Sequence, residues 1–187
     1  MPLIYITGTP GSGKSAVCAE LKRRGYTAFD TDKDAIAFFY NNETGEPIKG
    51  HVSAQERTPE WRSRHTWKAK REAIEKLREQ AKGGLAFLCG VTANDADELW
   101  DLFTTVFALV ITDRQVLQER ILERDEDGYG KNPHELAALL EWQLAAVEDY
   151  RKLGAVIIDA SKPLDDVVNE IESRAQLLQF ESKRTAA

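Results

Sequence analysis

The sequence has few residues that could cross-link a small protein or build a metal centre. Its only cysteines, Cys18 and Cys89, are far apart in the chain, and neither has a C-x-x-C partner. This excludes a disulfide framework and predicts that both are small buried core residues. His51 and His65 have no partner at metal-ligand spacing, so they are not expected to bind a metal.

The chain also lacks long hydrophobic runs and an excess of positive charge. Its longest later apolar run, 106–111, is far shorter than the roughly 18 residues that span a membrane, and the run at 3–6 is too short for a signal peptide. Lys plus Arg number 25 and Asp plus Glu 31, a net charge of −6. We therefore expect a cytoplasmic protein without a membrane partner that does not bind long nucleic acid.

Short apolar segments alternate with helical patterns along all 187 residues. The predicted strands are 3–7, 27–29, 85–89, 106–111 and 155–158. The predicted helices are 14–24, 33–40, 58–82, 92–102, 113–124, 133–152 and 164–180. Continuous apolar strands between helices predict a three-layer α/β/α fold around a five-stranded parallel sheet. One domain is expected, with a core of 1–40 and 83–187.

A phosphate-binding loop is the most specific motif. Residues 8–15 match G-x-x-x-x-G-K-[ST] at every defined position, between a predicted strand and a predicted helix. In such loops the backbone N–H groups surround phosphate, the lysine reaches the β- and γ-phosphates and the hydroxyl binds Mg²⁺. The sequence therefore predicts ATP and Mg²⁺ as cofactors, with these contacts: Gly8, Pro10, Gly11, Ser12, Gly13, Lys14, Ser15 and Ala16.

Three further segments, together with this loop, resemble the small P-loop kinases, such as adenylate and shikimate kinases. They are FDTD at 29–32, LQERILER at 117–124 and IDASKPLDDV at 158–167. The resemblance implies that Arg120 stacks on adenine, that Arg124 contacts phosphate, and that backbone atoms of 161–163 line the adenine. The nucleotide residues so implied are Arg120, Arg124, Ser161, Lys162 and Pro163. The alternatives are a solvated arginine pair and an ordinary strand-to-helix turn.

Asp30 and Asp32 follow the second predicted strand, close to the phosphate loop. A carboxylate there could hold Mg²⁺ or accept the proton of an acceptor hydroxyl, and Asp32 is the preferred candidate for both roles. The alternative is a helix N-cap at this position. After the third strand, adenylate kinases carry D-G-x-P-R and shikimate kinases carry G-G-G. This chain has neither pattern and reads Cys89-Gly90-Val91-Thr92. The segment therefore supports neither the adenylate kinase substrate nor the shikimate kinase substrate. The acidic side chains of 95–98 are expected to be exposed on a helix.

The acceptor is expected between the second and third strands, in a helical insert of about 41–82. Residues 57–82 hold nine Lys or Arg and four Glu, with tryptophans among them. Such a segment suits an anionic acceptor with a flat part, although a solvated amphipathic helix is the alternative. The acceptor candidates are Asp30, Arg57, Arg62 and Gly90. Phe38, Phe39 and Tyr40 are expected in the core. A lid is expected at about 125–133, with Lys131 exposed.

The sequence thus predicts an ATP-dependent phosphotransferase that acts on a small molecule: a nucleotide, a nucleoside or a hydroxyl metabolite. Lys14, Asp32 and Arg124 are its predicted catalytic residues, and Ser15 and Asp32 its predicted metal ligands. Two alternatives stay open. One is a nucleoside triphosphate hydrolase on the same fold, and the other is a non-catalytic regulatory protein that binds ATP.

Overall fold

The computed structural model describes residues 2–80, 84–124 and 128–185. Five parallel strands form one sheet in the order β2-β5-β1-β6-β7. Their bounds are Leu3–Gly8 (β1), Thr27–Asp30 (β2), Ala86–Cys89 (β5), Thr105–Val110 (β6) and Val156–Asp159 (β7). The predicted parallel sheet is confirmed, and each strand lies within about two residues of its predicted position.

Helices cover both faces of this sheet and give two separate hydrophobic cores. One core packs α1 (Lys14–Arg23), α4 (Arg114–Glu123) and α6 (Leu164–Thr185) against the sheet, and the other packs α3 (Arg71–Gln80). The long helix α5 (Pro133–Lys152) contributes side chains to both cores. The three-layer α/β/α prediction is therefore confirmed. Cys18 and Cys89 are both buried and unbridged, as expected.

Two helix predictions between β2 and β5 are wrong. In place of a helix at 33–40, a turn with Ala35 at a φ of 52° leads into strand β3 (Ala37–Asn41). In place of one helix at 58–82 there are α2 (Pro59–Arg64), strand β4 (His65–Ala69) and α3. The strands β3 and β4 pair in an antiparallel hairpin, with Phe39 opposite Trp67. Aromatic residues favour such cross-strand pairs, so the hairpin replaces the predicted helices.

Local capping signals in the same region are correct. The Thr58 side chain accepts a hydrogen bond from the Trp61 N–H at 3.2 Å, and Pro59 occupies the first helical position. The predicted helix 92–102 is instead a π-type turn, Asp95–Leu99, followed by a 3₁₀ turn, Trp100–Leu102. The described residues include no helix long and apolar enough to span a membrane.

Candidate active site

A cavity of about 1110 Å³ opens at the carboxyl ends of β2, β5 and β1. Open α/β sheets bind their ligands at this edge. One part of the lining comes from the phosphate loop and the start of α1, and another from the β3–β4 hairpin. Arg120, Arg124, Gly128 and Tyr129 supply further lining atoms. The phosphate loop, the two predicted nucleotide arginines and the acceptor candidates thus line a single cavity, whereas Ser161, Lys162 and Pro163 do not line it.

The phosphate loop has the backbone that its sequence requires. Gly8 has a φ of 142°, and a Cβ there would lie 2.3 Å from the Leu109 carbonyl oxygen, so no larger residue fits. Gly13 adopts the left-handed conformation at the N-cap of α1, which starts at Lys14. The loop residues lining the cavity are Pro10, Gly11, Gly13, Lys14, Ser15 and Ala16. Ser12 is buried behind them.

Lys14 is held over the loop by its own backbone. Its Nζ donates to the carbonyl oxygens of Gly8 at 2.8 Å and Thr9 at 3.0 Å. Burial lowers the pKa of this lysine to about 8, and the nearby Asp32 carboxylate opposes that change. Arg124 lowers the same pKa, so its guanidinium lies close enough to act on Lys14. Lys14, Asp32 and Arg124, the predicted catalytic residues, all line the same cavity.

The two aspartates after β2 differ in what their carboxylates do. Asp30 is buried, and its Oδ1 accepts from the backbone N–H groups of Asp32 at 3.0 Å and Lys33 at 3.1 Å. It therefore shapes the turn, in the manner of a cap. The Asp32 side chain is exposed at the cavity wall and accepts from the Thr31 hydroxyl at 2.7 Å. Of the two, Asp32 has the carboxylate better placed for a ligand.

The predicted adenine residues also lie together. Arg120 donates from Nη1 to the Ala160 carbonyl oxygen at 2.9 Å and from Nη2 to that of Ser161 at 3.5 Å. This joins α4 to the turn after β7. Within the turn, the Ser161 hydroxyl donates to Asp159 at 2.6 Å, and the Lys162 ammonium donates to Glu170 at 3.3 Å. Pro163 directly precedes α6. Contact of these residues with adenine stays a prediction.

The two candidate acceptor arginines have different environments. Arg57 is 4% exposed and donates to Glu135 at 2.8 Å and to the carbonyl oxygens of Val52 and Gly128. Glu135 is 1% exposed, so this ion pair is buried. The Arg62 guanidinium lies 5.4 Å from the Phe39 ring centre and 5.1 Å from that of Tyr129. Arg62 is therefore the candidate whose charge is less committed.

Several side chains differ from expectation. Phe38 and Phe39, expected in the core, are half-buried and line the cavity. Lys131 is not simply solvated, since its ammonium donates to the carbonyl oxygens of Leu122 at 3.0 Å and of Arg124. Of the predicted lid, residues 125–127 lie outside the described residues.

Asp95, expected on an exposed helix face, is 7% exposed and is the main residue that the sequence reasoning missed. It accepts from the Tyr5 hydroxyl at 2.6 Å and from the Thr92 N–H at 3.1 Å. Burial raises the pKa of its carboxyl group. The Thr92 hydroxyl also donates to Asp95, so Thr92 gives this carboxylate two hydrogen bonds. The T-x-x-D spacing was the available signal. This network fixes the chain just after Gly90, where a Cβ would lie 2.1 Å from the Thr31 hydroxyl.

The sheet order, the phosphate loop and this cavity together define the fold of the small P-loop kinases. Among solved structures, the chain is similar to a shikimate kinase from Acinetobacter baumannii in complex with shikimate. That match has a TM-score of 0.59 and 19% identity, over 97% of this chain and 94% of that one. It is also similar to a shikimate kinase from Aquifex aeolicus vf5, with a TM-score of 0.53 and 22% identity over 99% of each chain. A gluconokinase from Sinorhizobium meliloti 1021 is a further match, with a TM-score of 0.51 and 21% identity over 97% of each chain.

A family model described as "AAA domain" matches residues 4–141, and the chain belongs to that family. No curated protein is matched by the sequence. The predicted resemblance to small P-loop kinases is confirmed for the fold.

Proposed function

We propose that this chain is an ATP-dependent phosphotransferase that moves the γ-phosphoryl group of ATP to a small-molecule acceptor. The observation that carries this proposal is the two-part cavity. At about 1110 Å³ it is at the upper end of the roughly 300–1000 Å³ typical of ligand sites, and it is lined both by the phosphate loop and by the hairpin. A hydrolase needs room only for water beside the triphosphate. The hairpin-lined part of the cavity leaves room for a second molecule.

Each side chain has a defined role in this proposal. The backbone of 10–16 and the ammonium of Lys14 bind the phosphates, Arg124 stabilises charge on the transferred group, and Arg120 binds the base. The acceptor hydroxyl oxygen bonds to the γ-phosphorus as the bond from that phosphorus to the β–γ bridging oxygen breaks. ADP leaves, and the hydroxyl proton goes to Asp32.

The chain also fits Mg²⁺, provided that the nucleotide completes the coordination. Ser15 and Asp32 line the same cavity, and oxygen ligands of this kind suit a hard cation. The described residues hold no group of three or more His, Cys, Asp or Glu that could bind a metal alone. When bound, Mg²⁺ would neutralise phosphate charge. Ser15 would hold it through its hydroxyl and Asp32 through a water ligand of the ion, so that the Asp32 carboxylate can still accept the acceptor proton.

Lys14→Ala tests the proposal. We expect phosphoryl transfer to fall by about 100-fold or more, because the ammonium is lost from the charge-stabilising set. Lys152→Ala is the matched control, since Lys152 is exposed at the end of α5. Transfer is measured with radiolabelled ATP and a panel of nucleosides, nucleoside monophosphates and polyhydroxy acids.

Two results would contradict a kinase. Steady phosphate release that no acceptor diverts would indicate a hydrolase. Bound ATP without any turnover would indicate a regulatory protein.

A further inference from the structure

Five aromatic residues are among those that line the cavity. Phe38 and Phe39 come from β3, Trp67 from β4, Tyr129 from the segment before α5, and Trp142 from α5 itself; these five residues are called the aromatic wall. All five are half-buried, so their rings are neither fully packed nor fully solvated. Phe39 and Trp67 share one face of the hairpin, whereas Phe38 is on the other face, because side chains alternate along a strand.

Neighbouring rings hold the aromatic wall in place. Phe39 packs edge-to-face on Trp67 with ring centres 4.9 Å apart, and on Trp61 at 4.8 Å. Because Phe39 and Trp67 are directly opposite in the hairpin register, the backbone also fixes their spacing. Such pre-positioned rings bind another flat ring at low entropic cost.

Of the two candidate acceptor arginines that line the cavity, Arg57 is neutralised within the protein, whereas Arg62 keeps its positive charge. Arg57 is neutralised by Glu135, and its Nε, Nη1 and Nη2 all donate within the protein. The Arg62 guanidinium lies over the Phe39 and Tyr129 rings. The exposed carboxylate of Asp32 also lines the cavity and repels a second anion unless a cation lies between them.

From the aromatic wall and the neutralised charge of Arg57 we propose that the acceptor is a hydroxyl compound with a flat ring and no phosphate group, such as a nucleoside. The inference rests on the proposed phosphotransferase function and narrows its acceptor class. The ring lies against Trp67 and Phe39, and a hydroxyl on its non-planar part points to Asp32. Nucleoside monophosphates and aliphatic polyhydroxy acids are excluded as preferred acceptors.

The test compares acceptor classes by binding and by transfer. Adenosine, guanosine, cytidine and thymidine are compared with their 5′-monophosphates and with shikimate and gluconate. Binding is followed by tryptophan fluorescence in the presence of a non-hydrolysable ATP analogue and Mg²⁺, because a ring stacked on Trp67 quenches its emission. We expect at least one nucleoside to bind and to accept phosphate with a kcat/KM at least tenfold above that of its monophosphate.

Trp67→Leu provides the side-chain test, with Trp100→Leu as its matched control. Both tryptophans are half-buried against the same core, but only Trp67 lines the cavity. Since stacking on an aromatic side chain contributes about 10- to 100-fold per ring, we expect Trp67→Leu to raise the nucleoside KM by at least tenfold. The KM for ATP should not change, Trp67→Phe should restore most of the affinity, and Trp100→Leu should alter neither constant.

Faster transfer to a monophosphate or to a polyhydroxy acid would overturn the acceptor class and leave the phosphotransferase function in place. Equal effects of Trp67→Leu and Trp100→Leu would also overturn it. Nucleosides that quench fluorescence while no compound is phosphorylated would support the aromatic wall and contradict the phosphotransferase function. Absence of nucleoside binding under every nucleotide condition would overturn the inference by itself.

Discussion

At the scale of single residues, the charge of Lys14 depends on pH within the range where the protein can be studied. Burial lowers its pKa to about 8, whereas the unfolded lysine keeps a value near 10.5. Between these values the unfolded chain binds the proton that the folded chain has lost. Folding stability from this group therefore rises as pH increases from about 8 to 10.5, while the cation needed for phosphate disappears.

The affinity for nucleotide should therefore decrease as the pH rises. We expect the Kd of the wild-type protein for a non-hydrolysable ATP analogue with Mg²⁺ to increase between pH 7 and pH 9.5, because the neutral amine attracts phosphate poorly. Lys14→Arg is the control, since a guanidinium keeps its charge throughout this range. Titration calorimetry at several pH values measures both proteins. Parallel profiles for the two would contradict the assigned role of the lysine charge.

Residues in a local motif could be predicted from the sequence, and residues in long-range partnerships could not. The phosphate loop was identifiable because the spacing of its glycines, lysine and serine corresponds to one backbone conformation of the loop. Arg57 was predicted as an acceptor ligand, yet its partner Glu135 is on a different element, so no local pattern reveals the buried pair. The Tyr5 hydroxyl that Asp95 accepts from is likewise on a distant element, so only the local T-x-x-D spacing could have indicated that Asp95 is buried.

At the scale of elements, the parallel sheet could be predicted and the hairpin could not. Buried parallel strands are continuous apolar segments that a single sequence displays. The segment around β4 instead contains helix-forming Lys and Arg among its aromatic residues, and it is extended only because it pairs with β3. Thr58 and Pro59 correctly predicted where α2 begins, but its end at Arg64 depends on that non-local pairing.

The Asn94 side chain joins the hairpin to the segment after β5 through two hydrogen bonds. Its buried amide donates to the Ala69 carbonyl oxygen at 2.9 Å and accepts from the Ala69 N–H at 3.3 Å, at the end of β4. We expect Asn94→Ala to lower the free energy of unfolding by about 1–3 kcal/mol, because it leaves buried backbone groups without a partner. It should also speed amide hydrogen exchange in His65–Ala69.

The matched control is Asn42→Ala at the other end of the hairpin. The Asn42 amide donates to the Ser63 carbonyl oxygen at 3.2 Å and accepts from the Thr66 hydroxyl at 2.7 Å, but the residue is exposed, so water can replace both bonds. We expect a change within about 0.5 kcal/mol. Equal exchange rates in the two variants would show that Asn94 does not hold the hairpin.

At the scale of the whole molecule, the region between β2 and β5 is joined to the core through buried polar contacts. Arg57 binds Glu135 of α5, and the second Glu135 oxygen accepts from the Gly130 N–H at 3.0 Å. His134 Nε2 lies 2.9 Å from the Arg57 carbonyl oxygen. The two walls of the cavity are therefore parts of one cooperative unit, and a ligand bound to either wall should stabilise the entire chain.

Nucleotide binding should consequently raise the melting temperature in a single transition. At about 100 times its Kd, a non-hydrolysable ATP analogue with Mg²⁺ adds about 2.7 kcal/mol to the free energy of unfolding. For a chain of this size that corresponds to roughly 5–10 °C in calorimetry. Removing Mg²⁺ with EDTA should reduce the shift, and Lys14→Ala should abolish most of it. Two separate transitions, or an undiminished shift in Lys14→Ala, would contradict a single unit whose stability is linked to the phosphate loop.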